Sequence, residues 1–215
     1  MTEITHHLTD DLLMDYATGT LPEGFALVVA THVSLCDDCR ARLAAYEALG
    51  GSVLERAEAV ALEDRAFEAT MARIAGLSPA PRPAARPRHG LFPAPLQDYV
   101  GGDLAAVRWR PLGLGVRQAV LPTDGSAKVR LLYIPAGAAV PDHGHRGREL
   151  TLVLQGAFRD DEGRFGPGDV EVADEELEHT PVAEAGQDCI CLAATDALLK
   201  FRGIMPRLAQ PFFRI

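Results

Sequence analysis

The chain has 215 residues and a formal net charge of -9 at pH 7, with 47% hydrophobic and 24% charged residues, the balance of an ordinary globular protein. That length suits one small domain and one of ordinary size, and the composition excludes a fibrous or wholly disordered chain. No apolar run is long enough to cross a bilayer. The opening Met1-Thr-Glu-Ile-Thr-His-His7 also lacks the basic-then-apolar layout of a secretory signal, so a cytoplasmic location is expected. Four cysteines in a reducing compartment point to metal ligation or redox chemistry rather than structural disulfides.

The charge is unevenly spread: -8 for residues 1–77 (13 acidic, 5 basic), +3 for 78–95 and -4 for 96–215. An acidic first segment repels phosphates and is a poor direct binder of nucleic acid, but it suits a basic protein partner. Plain solubility would demand the same acidity.

Residues 9–18 predict a short helix with Thr9 as N-cap, Asp10 and Asp11 in the first turn and Gly19 as the stop. Its apolar face is Leu12, Leu13, Tyr16 and Ala17. Pro22 fits the start of a second helix running through Phe25, Leu27, Val28 and Val29 to Leu35. A third begins at Asp37-Asp38 and carries Cys39, Leu43, Tyr46 and Leu49. Gly50-Gly51 then precedes an amphipathic segment from Leu62 to Ile74. This last helix either completes a four-helix bundle or packs on a partner as well as on its own domain.

In a helix, His32, Cys36 and Cys39 point toward one spot, because residues four and then three further along share a face. Two thiolates and an imidazole make most of a zinc site, and His6 and His7 lie upstream as candidates for the fourth ligand. The competing readings of the Cys-x-x-Cys pair are two small buried side chains or a redox couple.

Residues 78–95 hold six of the fifteen prolines and three arginines. They read as an extended interdomain linker. From residue 96 the periodicity turns to alternation, with strands expected at Val107–Arg110, Val116–Leu121, Lys128–Ile134 and Glu149–Leu154. Turn signals separate them at Asp124-Gly125, Ala136-Gly137 and Glu162-Gly163, which predicts an antiparallel barrel or sandwich. The expected fold is thus α + β in two domains: a small zinc-bound helical bundle over 1–77, a linker over 78–95 and an all-β domain over 96–215.

Within the strand region, alternation sends His143 and His145 to one face, and Glu149 joins them from the next strand. His179, after the turn Gly166-Pro-Gly-Asp169, is the candidate fourth ligand. Three His and one Glu suit zinc, iron, manganese, nickel or copper. Cys189 and Cys191, two apart on one strand, put both thiols on one face, as a candidate redox sensor or as two small core residues. The acidic run Asp174–Glu178 reads as a solvated loop or a further source of ligands.

The string Gly137 to Gly156 resembles the first cupin motif, G-x5-H-x-H-x3-E-x6-G, at every spacing. The second motif is less well kept, because an insertion separates Pro167-Gly168-Asp169 from His179. His32-x3-Cys36-x2-Cys39 resembles the signature of zinc-binding anti-sigma domains, and its fusion to a cupin resembles the ChrR family of anti-sigma factors along essentially the whole chain. That resemblance implies zinc held by His32, Cys36, Cys39 and one of His6 and His7, with His7 favoured as the residue adjoining the first helix. It also implies an extracytoplasmic-function-type sigma factor as partner, kept from RNA polymerase until singlet oxygen or a related oxidant is sensed through the cupin. Two zinc sites per chain are expected, and a protease is a further partner if release is proteolytic. The rival reading is a cupin metalloenzyme of oxygenase or isomerase type with an accessory zinc domain. An adaptor with a degenerate cupin site is the third.

Overall fold

The structure, a computed structural model, describes residues 3–77, 90–140, 143–144, 147–174, 178–197 and 200–201. Five α-helices are present among them: α1 (Asp10–Thr18), α2 (Glu23–Val33), α3 (Asp37–Glu55), α4 (Ala66–Ala75) and α5 (Ala94–Val100). α1 ends as expected at Gly19, whose φ of 71° is the left-handed conformation that glycine adopts without strain. Thr9 has the extended backbone of an N-cap, but its side chain makes no capping hydrogen bond.

Two helical expectations are corrected. α3 does not break at Gly50-Gly51 but runs through them to Glu55; each glycine costs an exposed helix about 1 kcal/mol, which nineteen residues of helix absorb. α4 begins at Ala66 rather than Leu62 and buries none of its residues, so it completes no four-helix bundle. The packed helices are instead α1, α2 and α3, joined by α5. α5 lies across the expected end of the linker, with Phe92 and Leu96 buried.

The strands form a six-stranded antiparallel sheet in the order β1-β2-β3-β11-β5-β8, from β1 (Arg110–Gly113), β2 (Val116–Leu121), β3 (Lys128–Ile134), β5 (Glu149–Gln155), β8 (Val170–Ala173) and β11 (Cys189–Thr195). Two three-stranded sheets complete the described strands. One joins β10 (Val182–Ala183), β6 (Phe158–Arg159) and β7 (Arg164–Phe165); the other joins β12 (Lys200–Phe201), β4 (His143–Gly144) and β9 (Glu178–His179).

Both faces of the large sheet are covered. One set of alternating residues, Leu131, Leu150, Leu152, Ile190 and Leu192, packs in the same core as Leu12, Leu13, Phe25, Val28 and Leu43 of the helices. The opposite set, Val116, Ile134, Val153, Cys189 and Cys191, forms a second cluster with Phe158 and Phe165. Double-sided burial explains why β11 is buried at every position and why β5 reads as a nearly continuous apolar run. Each fully buried leucine contributes roughly 1.5–3 kcal/mol, so the helical region is docked on the barrel. α2 lies against β5 and β11.

Candidate metal centre and its relatives

α2 and α3 meet at Ser34-Leu35-Cys36, and this corner builds the site. Cys36 is the N-cap of α3, and its Sγ accepts a hydrogen bond from the Cys39 backbone N–H at 3.4 Å. His32, in the last turn of α2, is completely buried. Its Nδ1 lies 2.9 Å from the Gly168 carbonyl oxygen, so it is the protonated nitrogen. Nε2 is buried with no hydrogen-bond partner.

His7 closes the set from the segment ahead of α1, with Nδ1 3.3 Å from Cys36 Sγ and 3.8 Å from Cys39 Sγ. The ligand atoms of His7, His32, Cys36 and Cys39 all lie within 4.8 Å of one another. Such a cluster can hold a metal ion. The orphaned Nε2 of His32 is the specific sign of fit, since a buried acceptor without a partner costs about 1–3 kcal/mol unless a cation or donor meets it.

At His32, electrostatics favour ligation over free acid–base chemistry. Burial, and secondarily the charge of His7, lowers the His32 pKa to about 4 despite the Gly168 carbonyl, so its imidazole is neutral at pH 7 and has a lone pair to offer. Burial above all pushes the Cys39 thiol up. The Arg42 guanidinium stands 4.0 Å from Cys39 Sγ, donates to the Leu8 carbonyl at 3.0 Å and pairs with Asp10. It thus ties α3 to the start of α1. His6 takes another course: its ring packs on Phe165 at 4.3 Å between centroids, and its Nδ1 is 3.6 Å from Asp169. Of the two histidines left open by the spacing, His7 is the one in the cluster. An open groove lined by His6, His7, Thr9, Glu162 and Phe165 gives solvent access to this side.

The cupin candidates are described in part. His143 on β4 and His179 on β9 are directly opposite in register, so the insertion ahead of His179 still returns it to the facing strand. The side chains of His143 and His179, and all of His145, lie outside the described residues, as do residues 175–177 of the acidic run. Glu149 opens β5 and is buried, with Oε1 accepting from the Thr151 hydroxyl at 3.1 Å. Cys189 and Cys191 are buried on the interior face with their sulfurs 3.5 Å apart. Contact with Cys189, burial, and the charges of Glu171 and Glu149 all push the Cys191 thiol up, which keeps it protonated.

Spacing did not reveal the Gly166–Asp169 turn as part of the helical site, because its contacts join residues more than 130 positions apart. In the sequence the Pro167-Gly168-Asp169 string marked a turn and the remnant of the second cupin motif, with nothing to tie it to the helical site.

Residues 97–199 match the ChrR Cupin-like domain family. The anti-sigma-E factor ChrR of Cereibacter sphaeroides is 63% identical over 214 residues, 99% of each chain. A crystal structure of Rhodobacter sphaeroides SigE in complex with the anti-sigma ChrR contains a chain 61% identical to this one. That match has a TM-score of 0.79 and covers 90% of this chain and 100% of the other. With identity of this level from end to end, the chain belongs to the ChrR family of anti-sigma factors.

Proposed function

We propose that this protein binds an extracytoplasmic-function-type sigma factor and keeps it from RNA polymerase, acting as a negative regulator of transcription in the cytoplasm. The observation that carries this reading is the apolar surface of α4 and the end of α3. Phe67, Met71 and Ile74 recur at helical spacing and are all exposed, as are Leu49, Val53 and Leu54. A helix that displays its apolar stripe to water is stabilised by a partner's groove. The acidic balance of residues 1–77 favours a basic partner surface and speeds encounter with it.

His7, His32, Cys36 and Cys39 would hold zinc, whose contribution is to cross-link the segment ahead of α1, the end of α2 and the start of α3. α1, α2 and α3 are then fixed in one arrangement, which sets where α3 and α4 present their apolar side chains. His143, His145, Glu149 and His179 are proposed as a second metal site in the cupin. The register pairing of His143 with His179 and the buried Glu149 support it.

Release is proposed to follow oxidation by singlet oxygen or a related species. Cys189 and Cys191 are the pair whose sulfurs already touch. Closing a disulfide there removes two electrons and two protons, which the oxidant accepts, and shifts β11 beneath the helices. The thiolates of Cys36 and Cys39 are the other target, where oxidation removes two metal ligands directly. Serine at both Cys189 and Cys191 separates the two: retained oxidant release assigns sensing to the helical site, and lost release assigns it to the cupin pair.

The function is tested by mixing the full chain with the purified sigma factor and core polymerase. Inhibited sigma-dependent transcription and a stable complex are expected; polymerase activity unaffected by excess protein contradicts the reading.

A further inference from the structure

We infer that the cupin turn Gly166–Asp169 is the outer support of the N-terminal metal site, so that metal affinity in the helical domain depends on the barrel. The inference rests on the reading of His7, His32, Cys36 and Cys39 as a zinc site. Two of those four ligands are positioned from across the seam between helices and sheet.

The first is His32. The Gly168 carbonyl accepts its Nδ1–H at 2.9 Å, and since a carbonyl cannot donate, this contact fixes both the tautomer and the ring orientation. Nε2 is left as the free lone pair among the sulfurs. The second is His7. Asp169 Oδ1 accepts the backbone N–H groups of Thr5 at 2.7 Å and His6 at 2.9 Å, and Oδ2 accepts that of Gly166 at 2.8 Å. The Val170 N–H donates to the His6 carbonyl at 3.2 Å. Thr5-His6 is thereby bound to the turn, and the next residue delivers the imidazole to Cys36. Glycine is required at 168: its φ is +94°, and a Cβ there would stand 2.5 Å from Ile4 Cδ1.

The turn is itself anchored to the barrel. The Gly168 N–H donates to the Val153 carbonyl at 2.8 Å and the Val153 N–H to the Asp169 carbonyl at 3.0 Å. Val153 sits opposite Cys191 in the β5–β11 ladder. Hydrogen bonds, backbone to backbone within the barrel and partly through the Asp169 carboxylate and the His32 ring across the seam, therefore run from the strand beside the cupin thiols to two ligands of the helical site. By linkage, whatever moves this turn weakens the metal, and whatever removes the metal loosens the turn.

The test uses the full chain with cobalt(II) as probe, read by its thiolate-to-metal absorption in competition with a chelator. Asp169→Ala leaves three N–H groups without their acceptor. It is expected to weaken cobalt binding about 10- to 100-fold, the usual effect of losing an outer-shell partner. Asp169→Asn keeps Oδ1 for Thr5 and His6 and is expected to restore most of the affinity. Should Asp169→Ala fail to fold, Thr5→Pro removes one of the donors from the other side of the seam and is expected to weaken cobalt in the same direction. A wild-type chain without the thiolate-to-cobalt band overturns the metal-site reading itself. A wild-type chain with the band, and an Asp169→Ala or Thr5→Pro chain that titrates identically, overturns this inference alone; so does equal loss in Asp169→Ala and Asp169→Asn.

Discussion

Gly24, in the first turn of α2, meets β3 so closely that a Cβ on it would lie 2.9 Å from Val129 Cγ2 and 2.9 Å from the Ala127 Cβ. A side chain at 24 would wedge the helices off the sheet. Gly24→Val is expected to lower stability by about 1–3 kcal/mol, the range for overpacking a filled contact. Denaturant unfolding checks it, and an unchanged midpoint would show that α2 is not seated on β3.

Cys36→Ala removes one ligand and the N-cap acceptor of α3 together. Expected outcomes are loss of tight metal binding and destabilisation of the helical region on the order of several kcal/mol, with release of the sigma factor. Metal analysis and complex formation on one sample read both. Sigma inhibition retained by a metal-free variant would sink the idea that zinc sets the binding surface.

α4 buries nothing within its own chain, so its apolar side chains can be charged at little internal cost. Phe67→Glu with Met71→Glu is expected to change stability by no more than about 0.5 kcal/mol. Affinity for the sigma factor should fall by about 2 kcal/mol or more. Calorimetry of the free chain and of its titration into sigma factor measures the two effects, and unchanged affinity would move the interface elsewhere.

The Tyr99 hydroxyl donates to Glu23 at 2.7 Å, joining α5 to α2. This bond first, then burial and the charges of Glu23 and Asp124, raises the Tyr99 pKa to about 12. A phenol whose folded pKa lies above its unfolded value of about 10 contributes stability that is complete below pH about 10. That contribution fades as pH rises through about 12. Glu23→Gln is expected to bring Tyr99 ionisation down toward the ordinary tyrosine value in an ultraviolet titration. An unchanged titration would deny the charge a role.

Legibility followed the range of the signal. β2 and β3 fall where alternation put them, and α1 starts and stops at Thr9 and Gly19, because caps and period-2 patterns are local. His32, Cys36 and Cys39 were readable because one helical corner sets their spacing. The choice of His7 over His6 depended on a residue 163 positions away from His6: Asp169 holds the His6 backbone and faces its ring. The continuation of α3 through Gly50-Gly51 was hidden by propensity, which is a weak guide within a long helix. α5 was hidden by the prolines around it, though Pro93 is in fact its N-cap. The covering of both sheet faces was invisible, since the apolar run of β5 reads alike whether helices or a second sheet lie over it.

The most direct measurement is co-purification of the full chain with the extracytoplasmic-type sigma factors of its own cell, with metal content determined on the same sample. The account expects a one-to-one complex carrying zinc in the thiolate site, dissociated when the metal is stripped. A zinc-free chain that still holds the sigma factor, or a zinc-loaded chain that binds none, would contradict it.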